Sequence, residues 1–113
     1  MIILNSASKS LEVVLAGAVA TTPLPMVSNW LDVSSLDQSI SAFGSTDTVV
    51  TGTGAVTLVS APVTNHTRTI KSVSIYNADT TGAAVTVRLN NGTSTRILVD
   101  ITLTTGSTLE YVE

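Results

Sequence analysis

The chain contains no cysteine, few charges and few aromatic residues. Without cysteine there are no disulfides and no thiolate metal ligands, so stability has to come from packing or assembly. Charged residues are 12% and apolar residues 43% of the 113 positions, so most of the polar surface must be written in hydroxyls. Two lysines and three glutamates are too few for the polar faces of several amphipathic helices. The five basic residues, Lys9, Arg68, Lys71, Arg88 and Arg96, are scattered in a chain of net charge −3, so no basic stripe exists to neutralise phosphates, and nucleic-acid binding is not expected. No apolar run approaches the roughly 18 residues of a membrane span. The apolar stretch Leu11 to Ala20 ends in Ala18-Val19-Ala20 like a secretory leader, but Glu12 interrupts it and Lys9 is the only basic residue before it, so it is read as part of the fold.

What the chain does have is threonine and serine, 19 and 14 of them, with abundant valine. Such residues suit a pleated, half-buried surface better than a helix. The second half alternates with a period of two between Gly- or Asn-containing turns, which predicts strands at Ile70 to Asn77, Ala84 to Leu89, Arg96 to Leu103 and Thr108 to Val112. Val85, Val87 and Leu89 point one way and Thr86 and Arg88 the other, and Ile97, Val99, Ile101 and Leu103 share a face. Consecutive strands with short turns predict an antiparallel meander. A loop of three residues would set Arg88 opposite Arg96, so a longer loop, Asn91 to Thr95, is expected, pairing Arg88 with Leu98 and Val87 with Val99.

The first half is less regular. Leu11 to Val19 reads as a strand, Pro23-Leu24-Pro25 as an extended connector or arm, and Met26 to Val33 as an edge strand. Ser34 to Thr46 reads as a polar stretch with an apolar patch at Ile40 and Phe43, and Val56 to Val59 as a further strand. The expectation is an all-β fold of seven or eight strands, an antiparallel β-sandwich or jelly roll with a C-terminal meander and an extended N-terminal arm. It forms one folding unit, in which residues 1–47 supply the arm and first strands and residues 48–113 the sandwich core.

Catalytic and metal chemistry has little to work with. His66, the only histidine, sits in Asn65-His66-Thr67 beside a proline-bearing loop and reads as a solvated loop residue. The carboxylates Glu12, Asp32, Asp37, Asp47, Asp79, Asp100, Glu110 and Glu113 form no calcium-loop pattern, and turn initiation accounts for Asp47 and Asp79. Trp30, Phe43, Tyr76 and Tyr111 are too few for an aromatic sugar platform. Thr51-Gly52-Thr53-Gly54 lacks the lysine and helix of a phosphate loop and reads as a turn. No catalytic residue, metal ligand or cofactor site is assigned, and an enzyme is not expected.

Three segments, VSIYNADT at Val73 to Thr80, VTVRLNNGTSTRIL at Val85 to Leu98 and LTTGSTLEYV at Leu103 to Val112, resemble the C-terminal region of small bacteriophage virion proteins of the capsid decoration, or cement, kind. Upstream, LEVVLAGAVATTPLPMVSNWLDV resembles the segment that precedes that region in such proteins. The resemblance implies a protein that binds the outer surface of the assembled head, with the major capsid protein as partner and a homo-oligomer, a trimer before other states, as the binding unit. Neither nucleic acid nor membrane enters that role. Leu24, Met26 and Trp30 are the candidates for capsid contact, tryptophan being a common interface anchor, with burial of Trp30 in the core as the competing reading. Tyr76 and Leu98 are the candidates for oligomer contact. Two other roles stay open: a tail, neck or fibre component, and a carbohydrate-binding or adhesin-like module.

Overall fold

Alternation with a period of two governs nearly every element of the computed structural model, which describes Met1–Glu113. Nine strands form: β1 (Ile2–Leu4), β2 (Ser10–Leu15), β3 (Leu24–Ser34), β4 (Ile40–Val50), β5 (Val56–Val59), β6 (His66–Tyr76), β7 (Ala83–Asn90), β8 (Thr95–Leu103) and β9 (Thr108–Val112). All pairings are antiparallel. Sheet A runs β4-β3-β6, with β1 and β9 sharing the far side of β6, β1 along Arg68–Ile70 and β9 along Ser72–Tyr76. Sheet B runs β5-β2-β7-β8. The two sheets enclose a core that includes Leu4, Leu11, Val13, Leu24, Met26, Leu58, Ile70, Ile75 and Val85, an all-β antiparallel sandwich as the composition predicted.

The topology departs from the expected meander. β6 lies in sheet A, β7 and β8 in sheet B, and β9 returns to sheet A beside β6. Short turns therefore cross between layers here, because each strand buries only one face and a two-layer core needs both sheets. There is also no N-terminal arm. Leu24 and Pro25 begin β3, which is central rather than an edge, hydrogen-bonded to β4 on one side and β6 on the other. Pro25 is accommodated because it sits at the start of the strand, ahead of the first β6 pair at Met26 and Ile75. The stretch expected to be polar loop is the distal half of the β3–β4 hairpin, and β4 runs across the expected boundary between residues 47 and 48. The first 47 residues build the core instead of packing on it.

A bulge replaces the expected β7–β8 loop. Val87 does face Val99, but Leu98 is skipped, so Arg88 faces Ile97 and Leu89 faces Arg96. Only four residues, Asn91–Ser94, then connect the strands. Asn91 Oδ1 accepts the backbone N–H groups of Thr93 and Ser94 at 3.0 and 2.8 Å, and Gly92 adopts φ of 94°, a conformation costly for any residue with a Cβ.

Sheet A is longer than sheet B, since β3, β4 and β6 each run 11 residues against six for β2 and eight for β7. Inside its distal half, Trp30 faces Gly44 across the β3–β4 pair, and a Cβ on Gly44 would lie 2.7 Å from Trp30 Cζ2. The Arg68 guanidinium stacks 4.7 Å from the Trp30 ring centroid. It also makes a bidentate pair with buried Asp32, Nε to Oδ1 at 2.7 Å and Nη2 to Oδ2 at 2.8 Å, while Nη1 donates to the Ser60 carbonyl at 2.9 Å. Gly44→Ala should therefore lower stability by about 1–3 kcal/mol. In a Trp30→Ala background the same substitution should cost nothing, as read by urea melts; equal costs in both backgrounds would show that the indole does not set the requirement for glycine.

Candidate functional site

Alternation sorts sheet A into two faces. On β3 the even positions Leu24, Met26 and Ser28 are fully buried, while the odd positions face outward with Val27 exposed. Following the register across the sheet, the outward rows are Phe43, Leu31, Thr69 and Ile3; Ser45, Asn29, Ser72 and Val112; Asp47, Val27, Ser74 and Glu110; and Val49 with Pro25, continued by Tyr76 and Thr108. Ile40 extends this face at Val33. Seven of the protein's fourteen exposed large apolar side chains, Ile3, Val27, Ile40, Phe43, Val49, Tyr76 and Val112, lie on this one surface, with Phe43 83% exposed. Single exposed apolar residues are ordinary; half of them falling on one sheet face makes that face the candidate contact surface.

A second apolar feature lies where β8 of sheet B and β9 of sheet A stand apart. The cleft between them holds about 200 Å³ and is lined by Ile2, Val73, Val87, Leu98, Val99, Leu109, Glu110 and Tyr111. β8 hydrogen-bonds only to β7, and its residues Thr95 to Thr102 are all exposed, including Ile97, Leu98, Val99 and Ile101. Tyr111 Oη is buried there without a hydrogen-bond partner.

The residues singled out in the sequence fall into different places. Leu24 and Met26 are fully buried in the core and are removed as contact candidates, because β3 turns its even positions inward. Trp30 is partly buried against the core, between Gly44 and Arg68. Tyr76 is 42% exposed on the outward face of sheet A, and Leu98, equally exposed, lines the cleft at the β8 bulge. The two do not form one patch. Sequence reading missed Phe43, Val49 and Val27 as surface anchors; the available signal was the alternation in β3 and β4, obscured because β3 is apolar at both parities.

The polar clusters serve the fold. Asn77 and Asp79, both buried, tie together the end of the sandwich where chains cross between sheets. Asp79 Oδ2 accepts Ala20 N at 2.7 Å, and Oδ1 accepts Thr21 N, Thr22 N and Thr80 N at 2.9, 3.1 and 2.9 Å. Asn77 donates to the carbonyls of Thr81 and Leu103 at 3.0 and 2.9 Å. On the outer side of sheet B, Arg88 Nε donates to Glu12 Oε1 at 2.6 Å, beside Asn90. His66 Nδ1 lies 3.0 Å from the Thr64 carbonyl at the start of β6. No family model matches the chain, and no curated protein or solved structure matches it.

The backbone donors, led by Ala20, outweigh desolvation and hold the Asp79 carboxyl well below the usual carboxylate range. A folded-state pKa below the unfolded value of about 3.9 contributes stability at higher pH that is lost as pH falls. Asp79→Asn should melt several degrees below the wild type at neutral pH. The gap should narrow as pH drops from about 4 towards 2, the window set by the unfolded carboxylate. A gap independent of pH in thermal melts would mean that the charge of Asp79 is not what holds the crossing loop.

Removing the guanidinium in Arg68→Ala strands a buried carboxylate, with an expected cost of about 3–5 kcal/mol. Arg68→Ala with Asp32→Leu should recover much of it. Chemical denaturation of the two variants checks this.

Proposed function

We propose that this chain is a bacteriophage capsid decoration protein, a cement protein that binds the outer surface of the assembled head and stabilises it. The observation that carries the reading is the gathering of exposed apolar side chains on the outward face of sheet A, among them Phe43, Ile40, Val27 and Val49. The resemblance of the β6-to-β9 segments to such virion proteins supports it. A sandwich stabilised without disulfides gains further stability whenever its folded form is bound, because binding to the folded state alone shifts the folding equilibrium. On this reading the major capsid protein is the partner, and the head exterior is where the protein resides. Tyr76, on the same face as Phe43, belongs with the head contact. The homo-oligomer, a trimer before other states, has the free β8 edge and Leu98 available to it.

Purified protein mixed with undecorated heads of the virus that encodes it should co-sediment to saturation and appear at symmetry-related positions by electron microscopy. Phe43→Ser should weaken that binding by about tenfold or more. Val63→Ser, in the exposed β5–β6 connection, should bind like the wild type. Failure of the wild type to bind heads, or density confined to the tail, would replace this reading with a tail, neck or fibre role.

A further inference from the structure

The charges on the outward face of sheet A are as one-sided as its apolar residues are concentrated. Asp47 on β4 and Glu110 on β9 flank Val27 and Ser74 in one cross-strand row. Three strand spacings separate them, about 14 Å. Neither takes part in an ion pair: the protein's three are Arg68–Asp32, Lys71–Glu113 and Arg88–Glu12. Lys71, the extra residue of the β6 bulge beside this row, is already engaged by Glu113 at 3.1 Å. The remaining cationic side chains lie elsewhere, Lys9 bonded to Asn5 ahead of β2 and Arg96 on β8 of sheet B.

The size of the face suits a specific protein contact. Eleven residues of strand by four strand widths cover about 36 by 19 Å, roughly 700 Å². A standard interface buries about 800 Å² per partner. A second copy laid face to face would bring four carboxylates together with no unpaired lysine or arginine side chain between them, an arrangement that like-charge repulsion disfavours. A nucleic-acid backbone is repelled by the same carboxylates.

We infer that the outward face of sheet A docks a protein surface that is apolar where it meets the Phe43–Leu31 and Val49–Pro25 ends of the face and presents, between them, two lysine or arginine side chains about 14 Å apart, received by Asp47 and Glu110. The inference rests on the head-surface reading and names the chemistry of the capsid patch that receives this face. The apolar ends of the face supply the affinity, and the two charge pairs between them set register and the rate of encounter.

The test uses the intact protein and undecorated heads of the encoding virus. Both carboxylates are exposed and unpaired, so Asp47→Lys with Glu110→Lys should fold, as checked by circular dichroism. The double variant should bind heads about tenfold or more weakly at low salt, near 50 mM, and the difference should shrink near 500 mM as screening shortens the reach of the charges. Zero-length carbodiimide coupling on decorated heads, read by mass spectrometry, should link Asp47 and Glu110 to lysines of the major capsid protein or, where arginines face them, lose both carboxylates from the reactive pool on binding. Heads that bind the wild type and the double variant equally, with both carboxylates still reactive, overturn the inference and leave the decoration reading standing. Sedimentation velocity showing that Phe43→Ser or the charge reversals dissolve a wild-type oligomer would make the face a self-contact and also overturn it. If the wild type binds no heads at all, the decoration reading fails, and this inference fails with it.

Discussion

The fold depends on holding four chain crossings together at one end of the sandwich. The connections β2 to β3, β4 to β5, β6 to β7 and β8 to β9 all pass there from one sheet to the other. A crossing loop cannot satisfy its backbone within either sheet, so its N–H and C=O groups need other partners. Asn77 and Asp79 supply them for three of the four. Asp79 takes the N–H groups of the β2–β3 connection, and Asn77 binds its own turn and the carbonyl that ends β8. The β8–β9 turn is fastened to Asn77 as well, through Asn77 N to the Ser107 carbonyl and Gly106 N to the Asn77 carbonyl. The fourth connection is fastened by backbone bonds alone, Leu15 N to Gly52 O and Val19 N to Thr51 O. Two buried side chains thus fasten the crossings in a chain that has no cysteine for a disulfide.

At the other end the difficulty is reversed, because sheet A outruns sheet B and its inward face loses its apolar cover. Trp30, Arg68 and Asp32 fill that place. The indole packs against the core, the guanidinium lies on the indole, and the carboxylate neutralises the guanidinium. Gly44 is required on the neighbouring strand because the indole occupies the space a side chain would take. This plug allows the β3–β4 hairpin to stay paired beyond the end of sheet B, and with it the outward surface that carries Leu31 and Phe43.

The functional reading grows from that geometry. A sheet whose inner face is plugged beyond the end of the opposing sheet can present its other face over a longer stretch. Its apolar rows at either end and the hydroxyls and isolated pair of carboxylates between them give it both apolar contact area and a sign of charge. The free edge of β8 is a separate resource. Its bulge at Leu98 breaks the alternation that a neighbouring strand would have to match, so what the edge offers a second copy is the Leu98 side chain more than continuous strand pairing.

The sequence alone determined the all-β class, the position of most strands after Val56, and the turns at Asn91-Gly92 and Thr105-Gly106. Each of those features is local: residue preference, period-two alternation, and glycines at positive φ. It also named Tyr76 and Leu98 as candidates for oligomer contact, and both side chains are exposed. Tertiary structure alone decided which sheet each strand joins, because a short turn looks the same whether it pairs its flanking strands or crosses the core. It decided the face of β3 as well. Leu24 and Met26 alternate with Val27 and Leu31, both parities are apolar, and only pairing with β4 and β6 buries one set and leaves the other outside. Alternation tells a strand that it has two faces; only the opposing sheet tells it which one is the core.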